Sequence, residues 1–358
     1  MFPTSPPAGT YVSGFAGPEG RRRFVAGSLG AFLLPVAAPL AQASPLAAVN
    51  ASVPGPGSSV SLPFELAIGI GADRDEGVRL RLKFVDGGGL AAADVASGIS
   101  DFAAFGLPAA MEANLAGGSL VALAAVDDLP LYALMVCAKL KRKVRRVEDL
   151  RGLTIGVFSG SLKNKTTSQQ VCELLLARHG LSPKEVNFLA AGQSWESLSA
   201  AVRSRSVDAL MCDEPYGMQL EAAGLAYTLF KLGRPADAAS LPGGGFLRAA
   251  LLSRRDLVAR DPALAERMVR VVARTLAWMR ARGAPAVASA LDMTGQRRQL
   301  FIEAARQFPR QYSADGRFSG AQLGETDRFF RALNPDDQRR QAFSAESMVE
   351  ARWAGRKT

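Results

Sequence analysis

The chain has 358 residues, with 43 Lys and Arg against 33 Asp and Glu, one His and three Cys. At 48% hydrophobic and 21% charged it is too apolar for a disordered chain, and its length suits two packed lobes. A single His rules out a His-clustered metal site and argues against a Ser-His-Asp or Cys-His system, and Cys137, Cys172 and Cys212 show no CxxC spacing. No metal, cofactor or catalytic group is expected.

Residues 1–20 are rich in Pro, Gly and Ser. Arg21-Arg22-Arg23 then precede a mildly apolar run from Phe24 to Leu40, and Ala41-Gln42-Ala43 closes it. A basic start, a short apolar stretch and small residues before a cleavage point are the parts of a secretory signal. Gly27, Gly30, Pro35 and Pro39 break the run too often for a membrane span. The paired arginines followed by x-Phe match the twin-arginine export pattern, with the Sec route as the alternative. The expectation is a signal peptide over 1–43, a mature chain from Ser44 and a periplasmic location. Removing it takes away three Arg and one Glu, so the net charge falls from +10 to +8. The remaining cations are scattered apart from Lys139–Arg146 and Arg297-Arg298, which argues against a nucleic-acid partner.

From Leu46 onward strand and helix patterns alternate. Leu46–Val53 reads as a strand, Pro54–Ser59 as a loop and Val60–Ile70 as a helix. Val78–Phe84 has the period of a half-buried strand, and Leu90–Ala96 reads as a helix after Gly87-Gly88-Gly89. Strands follow at Asp101–Phe105, Leu120–Val126 and Leu131–Cys137, with Pro108 placed as a first-turn helix proline. A helical turn from Val147 feeds a buried strand ending at Val157, and the next helix runs to His179 with Gly180 as its stop. Strands at Val186–Leu189, Val207–Met211 and Ala226–Phe230 alternate with helices from Ser194 and from Asp213. Phe246–Leu252 is the last strand. Asp261-Pro262 caps a long helix whose stop is Gly283, helices extend over much of 285–333, and the polar tail is expected to fray. Such alternation predicts an α/β fold with largely parallel sheets.

The Gly-rich loops are not nucleotide sites. Pro54–Ser59 lacks the Gly-Lys-Ser/Thr ending of a phosphate loop, and Arg74 stands where the dinucleotide fingerprint needs Gly. They do sit between strand ends and helix starts, where open α/β sheets bind ligands.

At this point the motifs resemble a known family. Ser59–Leu66, Asp86–Gly89, Asp101–Leu107 with Pro108, Val147–Val157, Val207–Pro215 and Leu241–Phe246 follow its landmarks in order. The chain resembles the periplasmic substrate-binding proteins of ABC importers, in the nitrate/sulfonate/taurine and thiamine-pyrimidine-precursor group. That resemblance implies a type II two-lobed fold, with two α/β lobes joined by two crossover strands and a helical C-terminal part. Lobe I would take 44–136 and 233–333, lobe II 137–232, and a tail 334–358, with crossovers near Tyr132–Cys137 and Phe230–Leu251. The implied partners are a small solute, an ABC permease and a separate ATPase, with the receptor a monomer. A sensory module that presents ligand to a membrane kinase is the alternative. An enzyme of the pyrimidine-synthesising type would need a cysteine-rich motif and an active-site His that the sequence does not show.

Carried over loop by loop, the site falls to Gly57, Ser58 and Ser59, then Phe105, Gly106 and Leu107. The second lobe would add Ser159, Gly160 and Ser161, then Gln193, Ser194 and Trp195, and finally Asp213, Glu214 and Tyr216. Helix starts at Ser58-Ser59, Ser161 and Ser194 favour an acceptor group, whereas Asp213-Glu214 would repel an anion. A mixed, planar solute meets both demands, with Glu214 accepting from an N–H and Trp195 stacking on the ring. Lys163 and Lys165 read as exposed loop cations, and His179 as a complement to its helix dipole. Cys172 and Cys212 can pair outside the cytoplasm or remain buried thiols. N-terminal sequencing of the exported protein should read Ser-Pro-Leu; an intact leader, or a start beyond Ala48, overturns the signal-peptide reading.

Overall fold

Short apolar runs from residue 47 on build strands, and the small or capping residues between them start helices. A computed structural model describes residues 45–159, 162 and 165–357, which form one unit; the expected signal peptide lies outside them. The first set of elements is β1 (Ala47–Pro54), α1 (Leu62–Gly69), α2 (Ala72–Asp75), β2 (Val78–Val85), α3 (Gly88–Ser97), β3 (Phe102–Gly106), α4 (Leu107–Leu115) and β4 (Leu120–Ala125). The second is β5 (Tyr132–Cys137), β6 (Thr154–Val157), α5 (Thr167–Arg178), β7 (Asn187–Ala190), α6 (Trp195–Arg203), β8 (Ala209–Asp213), α7 (Tyr216–Ala222) and β9 (Ala226–Lys231). The chain closes with α8 (Pro235–Ser240), β10 (Ala249–Arg254), α9 (Arg255–Arg260), α10 (Pro262–Ala290), α11 (Gly295–Gln307), α12 (Gly320–Ala332) and α13 (Gln338–Ala342).

Two five-stranded sheets result, ordered β2-β1-β3-β10-β4 and β7-β6-β8-β5-β9. Their plans match. In each, three strands run parallel and the fourth position is taken by an antiparallel strand that has arrived from the other sheet's side: β10 in the first, β5 in the second. The chain passes between the sheets twice, once from β4 to β5 and once from β9 to β10. This is the α/β, two-lobed architecture that the sequence leads one to expect.

Each sheet is buried on both faces, which is why its inner strands read as unbroken apolar runs. Leu62, Phe64 and Leu66 of α1 and Met268, Val271, Val272 and Leu276 of α10 cover one face of the first sheet. The small side chains of α3 and α4 cover the other. Leu174, Leu175 and Leu176 of α5 pack on one face of the second sheet, and Leu198 and Val202 of α6 on the other. Asp261 caps α10 by accepting from the Leu264 N–H at 2.9 Å, as the Asp-Pro signal predicts. At Gly283, with φ 73° and ψ 170°, α10 breaks into two helices.

Three expectations change. Asp213 ends strand β8, and the helix that follows begins only at Tyr216. The last strand starts at Ala249 rather than Phe246, because the turn before it packs Phe246 against Phe329 of α12. The tail does not fray. Arg340 of α13 lies over the Phe330 ring and pairs with Glu112 of α4, while Val349 bridges to Ala122 of β4. Met348 is 1% exposed in the same cluster as Ala122 and Phe330. Met348→Ala should therefore lower the unfolding free energy by about 2–5 kcal/mol in denaturant titration; a cost near zero would mean that the tail is loose.

Candidate functional site

Where the two sheets' strand ends meet, elements of both enclose a cavity. Pro54, Val60, Gly87, Gly88, Phe105 and Gly106 line it from the first sheet's side. Tyr132, Phe158, Thr166, Thr167, Ser168, Gln193 and Asp213 line it from the second. Its volume is about 20 Å³, room for one water.

The two sides approach closely across this seam. A Cβ on Gly55 would lie 2.0 Å from the Gln193 carbonyl oxygen, and one on Gly106 would lie 2.0 Å from the Thr167 hydroxyl. Glycine at both positions is therefore a requirement of this packing. The Gln193 N–H donates to Asp86 at 3.1 Å, and the Tyr216 hydroxyl donates to the Pro56 carbonyl at 3.4 Å.

The ionic centre of the seam is Arg248, which has no exposed surface. Its Nε donates to Asp127 at 2.6 Å, and its Nη1 donates to Asp213 at 2.6 Å and to the Ser59 hydroxyl at 2.8 Å. Ser59 in turn donates to Asp213 at 2.7 Å. Arg248, Asp127 and Ser59 belong to the first sheet's side; Asp213 comes from the second. Burial pushes the Asp127 carboxyl up to about 6, against the lowering by Arg248 and the Ala249 N–H. Burial likewise raises Asp213, with Arg248 and Ser59 opposing. Beside them the buried Glu214 carboxylate pairs with Lys231 at 2.5 Å and accepts from the Met218 N–H at 2.9 Å.

Helix starts set the remaining polarity. The first turns of α3 and α5 reach the cavity, and the N–H groups of Gly88, Thr167 and Ser168 have no acceptor within their helices. At the seam the acceptors Asp213 Oδ1 and Gln193 Oε1, the Thr167 hydroxyl and the donor Arg248 Nη2 are buried without a hydrogen-bond partner. Both acceptors belong to residues that line the cavity.

The residues singled out from the sequence divide between places. Phe105, Gly106, Gln193 and Asp213 line the cavity. Gly57, Trp195 and Tyr216 line a separate outer pocket of about 330 Å³, together with Glu65 and Arg297. Ser59 belongs to the Arg248 network, Ser58 holds the turn before α1 through Ser61, and Leu107 is core. Ser194 caps α6 by accepting from the Ser197 N–H, and Ser159 is buried. Gly160, Ser161 and Lys163 lie outside the described residues.

The role expected of Glu214 changes. Lys231 and the Met218 N–H occupy its carboxylate, and it does not line the cavity. Trp195, in the outer pocket, is not placed to stack on a solute in the inner one. Lys165 pairs with Glu173, and His179 adds a 3.0 Å contact from its Nδ1 to Glu148. Cys172 and Cys212 are free buried thiols, and burial raises both well above the usual range.

Arg248 and Lys231 escaped the sequence reading. Their signal was a lone cation in or at the end of an otherwise apolar strand run, at Leu247–Leu252 and Ala226–Lys231.

A carboxyl whose folded pKa is raised stabilises the fold most below its unfolded value, and that contribution is lost as pH rises through the folded value. Asp127 should thus make the protein less stable as pH climbs from about 4 to about 6. Thermal unfolding of the parent and of Asp127→Asn checks this; equal slopes over that window would contradict it.

A search of curated proteins returns no match. A solved structure from Bordetella bronchiseptica RB50 is similar at 22% identity and a TM-score of 0.78, covering 86% of this chain and 96% of that one. The alkanesulfonate-binding protein SsuA from Xanthomonas axonopodis pv. citri, bound to MOPS, is similar at 17% identity and 0.66, covering 85% and 98%. The periplasmic nitrate-binding protein NrtA from Synechocystis PCC 6803 is similar at 12% and 0.63, covering 85% and 86%. These likenesses show a shared fold. The NMT1/THI5-like family model matches residues 73–286, more than half of the sequence, and the chain belongs to that family.

Proposed function

We propose that this protein is an extracytoplasmic solute receptor that closes its two lobes on a small polar solute and delivers it to an ABC-type permease driven by a separate ATPase. The observation that carries the reading is the cavity between the two sheets, where helix-start N–H groups meet two orphaned acceptors. The fold neighbours whose names state a sulfonate or a nitrate as ligand point the same way.

The solute carries both kinds of polar group. An oxyanion or other acceptor faces the N–H groups of Gly88, Thr167 and Ser168, which the helix dipoles of α3 and α5 reinforce. An N–H donor faces Asp213 Oδ1 and Gln193 Oε1, each of which loses its water on closure and needs a replacement. The rings of Phe105, Phe158 and Tyr132 contact its apolar part. The earlier expectation of a mixed solute thus stands on different residues, since Glu214 is neutralised by Lys231.

Binding rather than catalysis fits the groups at hand. His179 caps the far end of the twelve-residue α5, about 18 Å along the helix from the cavity. The buried thiol of Cys212 is held protonated by its surroundings.

Calorimetry with taurine and ethanesulfonate tests the reading, because the two share a sulfonate and differ by the amine. Taurine should bind at least about tenfold more tightly, a difference of about 1.4 kcal/mol. Gly55→Ala should weaken it by a similar factor or more, since a methyl at that position keeps the lobes apart. Equal affinities, or binding untouched by Gly55→Ala, refute the assignment.

A further inference from the structure

A mostly apolar recess lies away from the seam, among the C-terminal helices. It encloses about 460 Å³, within the usual range for small-molecule sites. The break at Gly283 creates it, because α10 changes direction there and α11 folds back without filling the angle. Leu276 and Met279 before the break, Val287 after it and Phe301 of α11 form its walls. Phe308 and Tyr312, from the segment after α11, complete them.

Its charged rim is one-sided. Asp128 is the lining carboxylate, and Lys357 already neutralises it at 2.5 Å. Arg280 and Arg310 also line the recess, are exposed, and have no ion-pair or hydrogen-bond partner among the described residues. Some other arginines of the C-terminal helices pair with a neighbouring carboxylate, as Arg306 does with Glu303 and Arg328 with Glu325, which leaves them no free charge. An apolar interior with two free guanidinium groups at its mouth matches one ligand chemistry: an alkyl or aryl body with a single anionic head.

We propose that this recess is a second binding site, distinct from the inter-sheet cavity, for an amphiphilic monoanion such as a medium-chain carboxylate. Its wall backs onto the segments that link the sheets. The Asp128 N–H donates to the Gln311 carbonyl at 2.9 Å, Tyr312 bridges to Asp127, and the Phe308 ring fits against Gly233 and Leu131.

Decanoate, with 1-decanol as the uncharged control, is the probe. Methyl-labelled methionine spectra should show Met279 shifting on addition of decanoate while Met135 and Met211, buried in the second sheet, stay in place. Calorimetry should give one site, with decanol at least tenfold weaker. Ala305→Trp fills the recess and should abolish binding. The exposed pair Arg280→Gln with Arg310→Gln leaves the interior alone and should reduce decanoate to the level of decanol. An unshifted Met279, or decanoate affinity unchanged by the double arginine variant, overturns the proposal. Either result leaves the reading of the inter-sheet cavity intact, because none of these residues lines that cavity.

Discussion

A guanidinium with no exposed surface holds the two halves of this protein together. Removing Arg248 from water is costly, and only its hydrogen-bonded carboxylates and Ser59 make the burial tolerable. Two of these partners, Asp127 and Ser59, are on the same side of the seam as Arg248. The third, Asp213, is delivered by the end of β8 on the other side. Of the three partners, Asp213 alone reaches Arg248 from across the seam.

The two sides also lie very close together, and small residues permit that approach. Gly55 and Gly106 present no Cβ to Gln193 and Thr167, so the loops after β1 and β3 can lie directly on the α5 and α6 starts. The starts of α3 and α5 bring their free N–H groups to the cavity. Shape and polarity at the site therefore come from one arrangement: helices begin where strands end, on both sides of the seam.

Much of this was readable in advance. The alternation of strand and helix, the capped start of α10 and the Gly-rich loops at strand ends follow from local pattern, because each depends on residues a few positions apart. The antiparallel insertion of β10 between β3 and β4 does not, since it joins residues more than a hundred positions apart. The same limit explains Glu214 and Asp213. Their sequence advertised two carboxylates in a cleft, but their cations sit 17 and 35 residues downstream. An acid read without its partner looks like a ligand contact; read with it, Glu214 is a structural group and Asp213 half of one. The tail misled for another reason. Its composition is polar and basic, yet the few apolar residues Phe343, Ala345 and Met348 all face one cluster, and placement outweighs composition.

Charge accounting at the seam bears on which solutes it admits. Asp127, Asp213 and Glu214 face Arg248 and Lys231, so full ionisation would leave one buried negative charge in excess. An uncompensated charge in such surroundings is expensive, and proteins relieve it by shifting a proton. Burial raises Asp127 and Asp213 alike, and the first of them does not line the cavity. Asp213, which does, keeps its bond to Arg248 and offers the cavity a single free oxygen whose charge is largely answered. The dominant field from the α3 and α5 starts is then positive. An acceptor-rich head can sit there without meeting a bare carboxylate, while the free oxygen remains able to choose among such solutes by the donor they carry.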